Sequence, residues 1–352
     1  MAHMIDTTTG RAAIAYAGFT PWHGLGQSLT PGASIDTWTR EAGLAYDVLG
    51  SPVQYKATPA GLAGLAGLGG PITKTWDQRK VLHRSDTGAA LAVVSNAYNV
   101  VQPGQVMDFF RELVNLGGFQ LETAGALSDG RRVWALASVG DAAPVVSSDL
   151  VKPYLLLGTS YDGTMATVAK FTAIRVVCNN TITAAVGGYS NGRPIKGEAE
   201  KNTGYLKSAV RVLHSERFDP ESVRLQLGIV ANAFENFLVQ SRQLAGQGMD
   251  KTDADAFVTE LLRPYHTSAR PVAESKAFVR IMQLFNGAAL GSDLPGVTGT
   301  RWAMLNAVTE LVDHERGRSN NTRIESAWFG TGAALKARAV DLLADADLGV
   351  PA

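Results

Sequence analysis

Apolar positions recur along this chain in two rhythms, and the change of rhythm divides it. Up to about residue 190 they come in short runs rich in β-branched and aromatic residues, separated by Gly, Pro, Asn and Asp. Ala12 to Gly18, Tyr46 to Tyr55, Ala89 to Ser95, Phe119 to Leu127, Arg132 to Val139, Val151 to Gly158 and Met165 to Val177 read as strands. Of these, Ala89 to Ser95 reads as plain core. Ser34 to Gly43 and Pro103 to Leu116 read as helices, the second with Val106, Phe109, Phe110, Leu113 and Val114 in one apolar stripe. Asp129-Gly130 and Asp162-Gly163 fall between β-rich runs, the spacing of tight hairpins. The last four strands therefore follow one another as a meander. From Tyr205 onward the period changes to three and four residues, predicting helices over Tyr205 to Glu216, Pro220 to Leu244, Thr252 to Leu262, Val272 to Gly287, Arg301 to Arg316 and Gly332 to Ala344. The fold class expected is α+β. An antiparallel β-meander packed on a helix fills a mixed domain, 1–190, and a mainly helical domain follows, 191–352.

Composition narrows the functional classes. With 352 residues, 45% hydrophobic and 18% charged, the chain can bury a core and is not disordered as a whole. Lys plus Arg, 32, balances Asp plus Glu, 32, so binding of a polyanion by bulk charge is excluded and only a local patch can serve. A single cysteine, Cys178, rules out an intramolecular disulfide and a cysteine-rich zinc site, and fits a reducing compartment. No apolar run approaches the ~20 residues of a membrane helix. The N-terminal residues are too polar for a secretory signal. The expected location is cytoplasmic, with no membrane partner.

Local charge singles out one region. Between Thr164 and Leu213 stand Lys170, Arg175, Arg193, Lys196, Lys201, Lys207 and Arg211 against Glu198 and Glu200, a surplus of five in a neutral chain. Arg131, Arg132 and Trp134 open the preceding strand, and Tyr161 and Phe171 lie beside the cations. If these share one face, the cations track a phosphodiester backbone while the rings stack bases. The alternative is that Lys170 and Arg175 are paired strand cations over a solvated loop. A second basic cluster, Lys74 to Arg84, interleaves Lys74, Arg79, Lys80 and Arg84 with Trp76 and His83 against Asp77 alone. Residues 60–71, rich in Gly, Ala and Leu, read as a flexible loop or hairpin tip, and lack the Gly-Lys-Ser or Gly-Lys-Thr ending of a phosphate loop.

Catalytic constellations are poorly formed. Cys178 with His23 or His83 offers a nucleophile and base, but a lone cysteine in an apolar strand also reads as a small buried hydrophobe. Asp313-His314-Glu315 and His266 lack metal-ligand spacing, so no metal and no cofactor is expected. Trp22 and His23 fit either a packed turn or a stacking site. Thr300 reads as an N-cap, which leaves Arg301 at the positive end of a helix and points it to an anion, a partner or a nearby acid.

Several motifs carry a resemblance. Pro21-Trp22-His23-Gly24-Leu25-Gly26, Glu122-Thr123-Ala124-Gly125, Arg131-Arg132-Val133-Trp134, Ser160-Tyr161-Asp162-Gly163, Phe171 to Thr181, and Asn306 to Glu310 followed by Asp313-His314 resemble a phage- and plasmid-encoded family, domain of unknown function 932. The resemblance implies a mobile genetic element of bacteria, hence a bacterial host cell. The meander backed by a helix is also similar at fold level to phage single-strand annealing proteins of the Redβ, RecT and Erf kind. That likeness implies a homo-oligomer that binds single-stranded DNA and promotes annealing without ATP. The expected site is then Arg131, Arg132, Trp134, Tyr161, Lys170, Phe171, Arg175, Arg193, Lys196, Lys201 and Lys207, with no catalytic residue. A non-catalytic protein-binding or inhibitory protein is the competing class, and a cysteine-dependent hydrolase the next.

Overall fold

Short β-rich runs and the turns between them give, in chain order, β1 (Ile14–Ala17), β2 (Gln27–Leu29), α1 (Ile35–Glu41), β3 (Val48–Ala57), β4 (Ile72–Arg84), β5 (Ala90–Ser95), α2 (Pro103–Leu116), β6 (Phe119–Leu127), β7 (Arg132–Val139), β8 (Ala143–Val146), β9 (Asp149–Ser160) and β10 (Thr167–Arg175). Three two-residue strands, β11 (Thr181–Ile182), β12 (Tyr189–Ser190) and β13 (Arg193–Pro194), precede β14 (Ala209–Val212). Helices follow: α3 (Pro220–Gly228), α4 (Ala233–Ala245), α5 (Lys251–Leu262), α6 (Lys276–Gln283), α7 (Arg301–Glu310), α8 (Arg323–Phe329) and α9 (Thr331–Ala344). This computed structural model describes residues 5–18, 25–57, 72–116, 118–177, 181–182, 189–190, 193–194, 209–228, 233–316 and 323–344.

The fold is α+β, with the meander where the alternation places it. β6, β7, β9 and β10 pair antiparallel in succession, and the main sheet runs β11-β10-β9-β7-β6-β1-β2, with β14 also beside β10 and β8 beside β9. The β6–β7 turn holds Ser128 at φ 55°, Asp129 at φ 58° and Gly130 at φ 85°. Helix α2 packs on β6 and β7. Val106, Phe109, Phe110 and Leu113 are buried there, while Val114 stays exposed. The side chain of Ser34 caps α1, accepting from the Thr37 N–H at 3.2 Å.

A second sheet, in the order β3-β4-β5, stands apart from the first. Arg84 ties its base to the core: the guanidinium lies 3.9 Å over the Tyr46 ring, pairs with Asp6, and donates to both carboxylate oxygens of Asp86 at 2.9 and 2.7 Å. Gly130 passes so close that a Cβ there would sit 2.8 Å from Arg84 Nη1.

The second half departs from the predicted pattern in several places. Residues 205–208 lie outside the described set, and Ala209–Val212, expected within a helix, is a strand paired with β10. The residues past 190 therefore still contribute to the sheet, and the described helices begin at Pro220. The Pro220 to Leu244 helix is two, α3 and α4. The last turns of the helices begun by α6 and α7 widen into π-turns, Leu284–Ala288 and Leu311–Glu315. Helix α8 lies in a stretch given no element from the sequence. Every residue from Trp302 to Glu310 is buried, so α7 is the helix around which the second core forms. Among the described residues no helix is long and apolar enough to cross a membrane.

Candidate nucleic-acid interface

The two sheet cations expected to share one surface do not. Lys170 and Arg175 are five residues apart on β10, and an odd separation on a strand sends side chains to opposite faces. Both are buried. Arg175 Nε donates to Asp149 Oδ1 at 2.7 Å, and its two terminal nitrogens donate to the carbonyls of Leu290 and Gly291, each at 2.9 Å. Asp149 Oδ2 also accepts the indole N–H of Trp302 at 2.7 Å. The buried carboxyl of Glu310, its pKa raised by desolvation, accepts the Leu290 N–H at 3.1 Å and so holds the carbonyl segment in place.

On the other face, Lys170 Nζ donates to the Trp328 carbonyl at 2.8 Å. Burial, with Lys336 nearby as a second cation, pushes the Lys170 pKa down to about 7. Lys336 in turn pairs with Asp313 at 2.7 Å. Trp134 packs edge-on against Trp328, centroids 4.9 Å apart. These groups join the sheet to the helices.

Most of the remaining expected site residues that the structure describes are also covered. Arg132 is nearly buried and donates to Thr164 Oγ1 at 2.8 Å, with Asp162 at 3.8 Å. Tyr161 is fully buried in the sheet core, and Phe171 is half-buried against it. Trp134 is 2% exposed. Of these described residues only Arg131 is exposed. The correction has a simple cause: a sheet covered on both faces puts its aromatic and cationic strand residues inside. Arg193 belongs to β13, and Lys196, Lys201 and Lys207 lie outside the described residues. So do Trp22, His23, Cys178, Asn179 and Asn180.

Exposed cations and rings come together instead on β3 and β4. Ten residues at ~3.3 Å each carry the β3–β4 ribbon about 33 Å, and its far part is solvent-exposed on both sides. Cross-strand partners there are Val53 with Trp76, Tyr55 with Lys74, and Ala57 with Ile72, which places these six side chains on one face. Gln54, Lys56, Thr73 and Thr75 take the other. Tyr55 is 50% exposed, Ile72 50% and Trp76 44%. The Arg79 guanidinium sits 5.5 Å from the centre of the Trp76 ring.

The register shifts between Pro52 and Val53, where β4 carries extra residues at 77–79. The Asn96 side-chain amide donates to the Asp77 carbonyl at that bulge. Lys80 is tied back by donating to the Asn96 and Tyr98 carbonyls at 3.2 and 2.9 Å. Arg84 is buried and neutralised, so Lys56, Lys74 and Arg79 are the ribbon's exposed cations, against Asp77. Residues 58–71, between the strands, lie outside the described set.

The other candidate groups have structural tasks. His83 Nε2 is 2.8 Å from Ser51 Oγ. Thr300 caps α7, accepting from the Ala303 N–H at 3.1 Å. Arg301 donates to the Leu343 carbonyl at 3.0 Å, at the end of α9. Among the described residues no group of three or more His, Cys, Asp or Glu side chains could hold a metal ion.

No curated protein and no solved structure matches the chain. A family model does, over residues 90–196 and 201–328, which takes in the meander, the buried cations Lys170 and Arg175, and helices α3 to α7. With most of its length matched, the chain belongs to the family described as Domain of unknown function (DUF932).

Proposed function

We propose that this chain is a phage- or plasmid-encoded, non-catalytic protein that binds single-stranded DNA in the cytoplasm of a bacterial host cell and promotes annealing without ATP. The observation that carries the reading is the exposed ribbon face on which Trp76 and Tyr55 stand beside Lys74 and Arg79. Unstacked bases have π-faces for such rings, at ~1–3 kcal/mol per base, and the neighbouring cations meet the phosphates. Duplex DNA hides those faces. The chain's zero net charge suits a site confined to one projection.

Mobility shift with single-stranded and duplex oligonucleotides of one sequence tests this. Single strands are retarded at lower protein concentration than duplex, and Trp76→Ala weakens the single-strand shift at unchanged thermal stability. Absence of any shift at low salt, or equal shifts for both forms, defeats the reading. One observation favours a protein partner in place of DNA: Ile72 and Tyr55 give the same face apolar area. Pull-down with nuclease-treated material separates the two.

A further inference from the structure

We propose that the outer edge of β5 pairs with β5 of a second copy of this chain, antiparallel about a two-fold axis, joining two three-stranded sheets into one of six strands. The inference does not rest on DNA binding. It rests on how differently the edges of the sheets are protected. An exposed strand edge offers unpaired N–H and C=O groups, and proteins block it with proline, charge, a bulge, a cap or brevity.

Within the second sheet, β3 has a cap, a proline and a charge. The Gln102 side-chain amide plugs its start, accepting from the Val48 N–H at 2.8 Å and donating to the Val48 carbonyl at 3.0 Å. Pro52 follows at the register shift, and Lys56 stands near the tip. The main sheet is guarded as well: β2 is three residues long, β8 contains Pro144, and β14 is four residues long with Arg211 in it.

β5 has no proline, no charge and, among the described residues, no side-chain cap; its one bulge, at Leu91, leaves Ala92 to Ser95 in regular pairing. It runs Ala-Leu-Ala-Val-Val-Ser, it pairs with β4 on one side, and among the described residues no strand lies on the other. No charged residue occurs anywhere between Asp86 and Asp108. An antiparallel mate with the identical sequence therefore brings no like charges together, which makes this edge compatible with itself. Its outer face adds apolar area, since Val93 is 53% exposed. Six residues of strand pairing bury less than the ~1,200 Å² of a stable interface, so the dimer is concentration-dependent.

Sedimentation velocity on the full chain, without nucleic acid, from about 1 to about 100 µM covers the range in which such an interface fills. The mass rises from one chain to two. Val93→Lys and Val93→Asp each lower association at least about tenfold, as a charge set against its own copy does, and an equimolar mixture of the two variants associates again. Amide exchange on the unaltered chain is independent of any variant's folding: protection over residues 90–95 grows with concentration. One-chain mass at about 100 µM, association unchanged in both variants, or concentration-independent exchange over 90–95 each overturns the proposal.

Discussion

Arg175 and Asp149 form a fully buried ion pair, Nε to Oδ1 at 2.7 Å, with both side chains at 0% exposure. Around them the carbonyls of Leu290 and Gly291 and the indole of Trp302 complete the hydrogen bonding, so sheet and helices meet at one satisfied charge pair. Removing one member strands the other. Arg175→Ala is expected to destabilise the fold by about 3–5 kcal/mol, and Asp149→Ala by a similar amount. Urea unfolding measures both. A loss under about 1 kcal/mol would show that water reaches the pair.

Lys170 ties stability to alkaline pH. Its pKa is about 7 in the fold and 10.5 when unfolded, so between these values the unfolded chain binds the extra proton and stability rises with pH. Below about 7 both states are protonated and the contribution is flat. Asp313 and Lys336 are the charged groups coupled to it. Lys170→Met removes the dependence, and the unfolding free energy of the unaltered protein relative to this variant falls by about 4–5 kcal/mol from pH 10.5 down to 7. Parallel stability curves across that range would refute the assignment.

The ribbon cations should act through the salt dependence of binding. Lys74→Ala with Arg79→Ala lowers the slope of log affinity against log salt by about 0.7 per lost phosphate contact, and leaves unfolding within about 0.5 kcal/mol. Titrations at three salt concentrations give the slope. An unchanged slope places the phosphate contacts elsewhere.

Gly291 is held at φ +70°, and a Cβ there would lie 2.7 Å from Val177 Cγ1 and 3.2 Å from Arg175 Nη2. Gly291→Ala is therefore expected to cost about 1–3 kcal/mol by strain and by displacing the carbonyl that Arg175 needs. Thermal unfolding reads it. The exposed left-handed Gly163, with nothing within 4 Å of its would-be Cβ, provides the control, losing only about 1 kcal/mol on Gly163→Ala.

The sequence made the meander and most of the helices legible because local signals agree with tertiary packing there: Asp-Gly turns between alternating runs, and three- and four-residue apolar steps later on. It failed where a distant partner decides. Val210 and Val212 form a strand only because the edge of β10 receives them. The odd spacing of Lys170 and Arg175 already excluded a shared face, but their burial depends on helices more than a hundred residues away. Lys74 to Arg84 was visible as a basic cluster, whereas the exposure of Lys74 and Trp76 follows from their pairing with Val53–Ala57 beyond the reach of β5. Half of Ala89 to Ser95 faces out, so its apolar content overstated its burial.

The cations of β10 are met by backbone carbonyls at Leu290, Gly291 and Trp328, together with one carboxylate on the sheet's own side. A carbonyl oxygen survives replacement of its residue's side chain wherever the backbone keeps its course. Leu290, whose side chain is 57% exposed, can therefore drift freely among relatives while the contact it supplies persists. In an alignment this contact would be written on one side only, as invariant charge in β10 facing a variable letter at position 290, while Gly291 and Trp302 stay fixed for their own reasons.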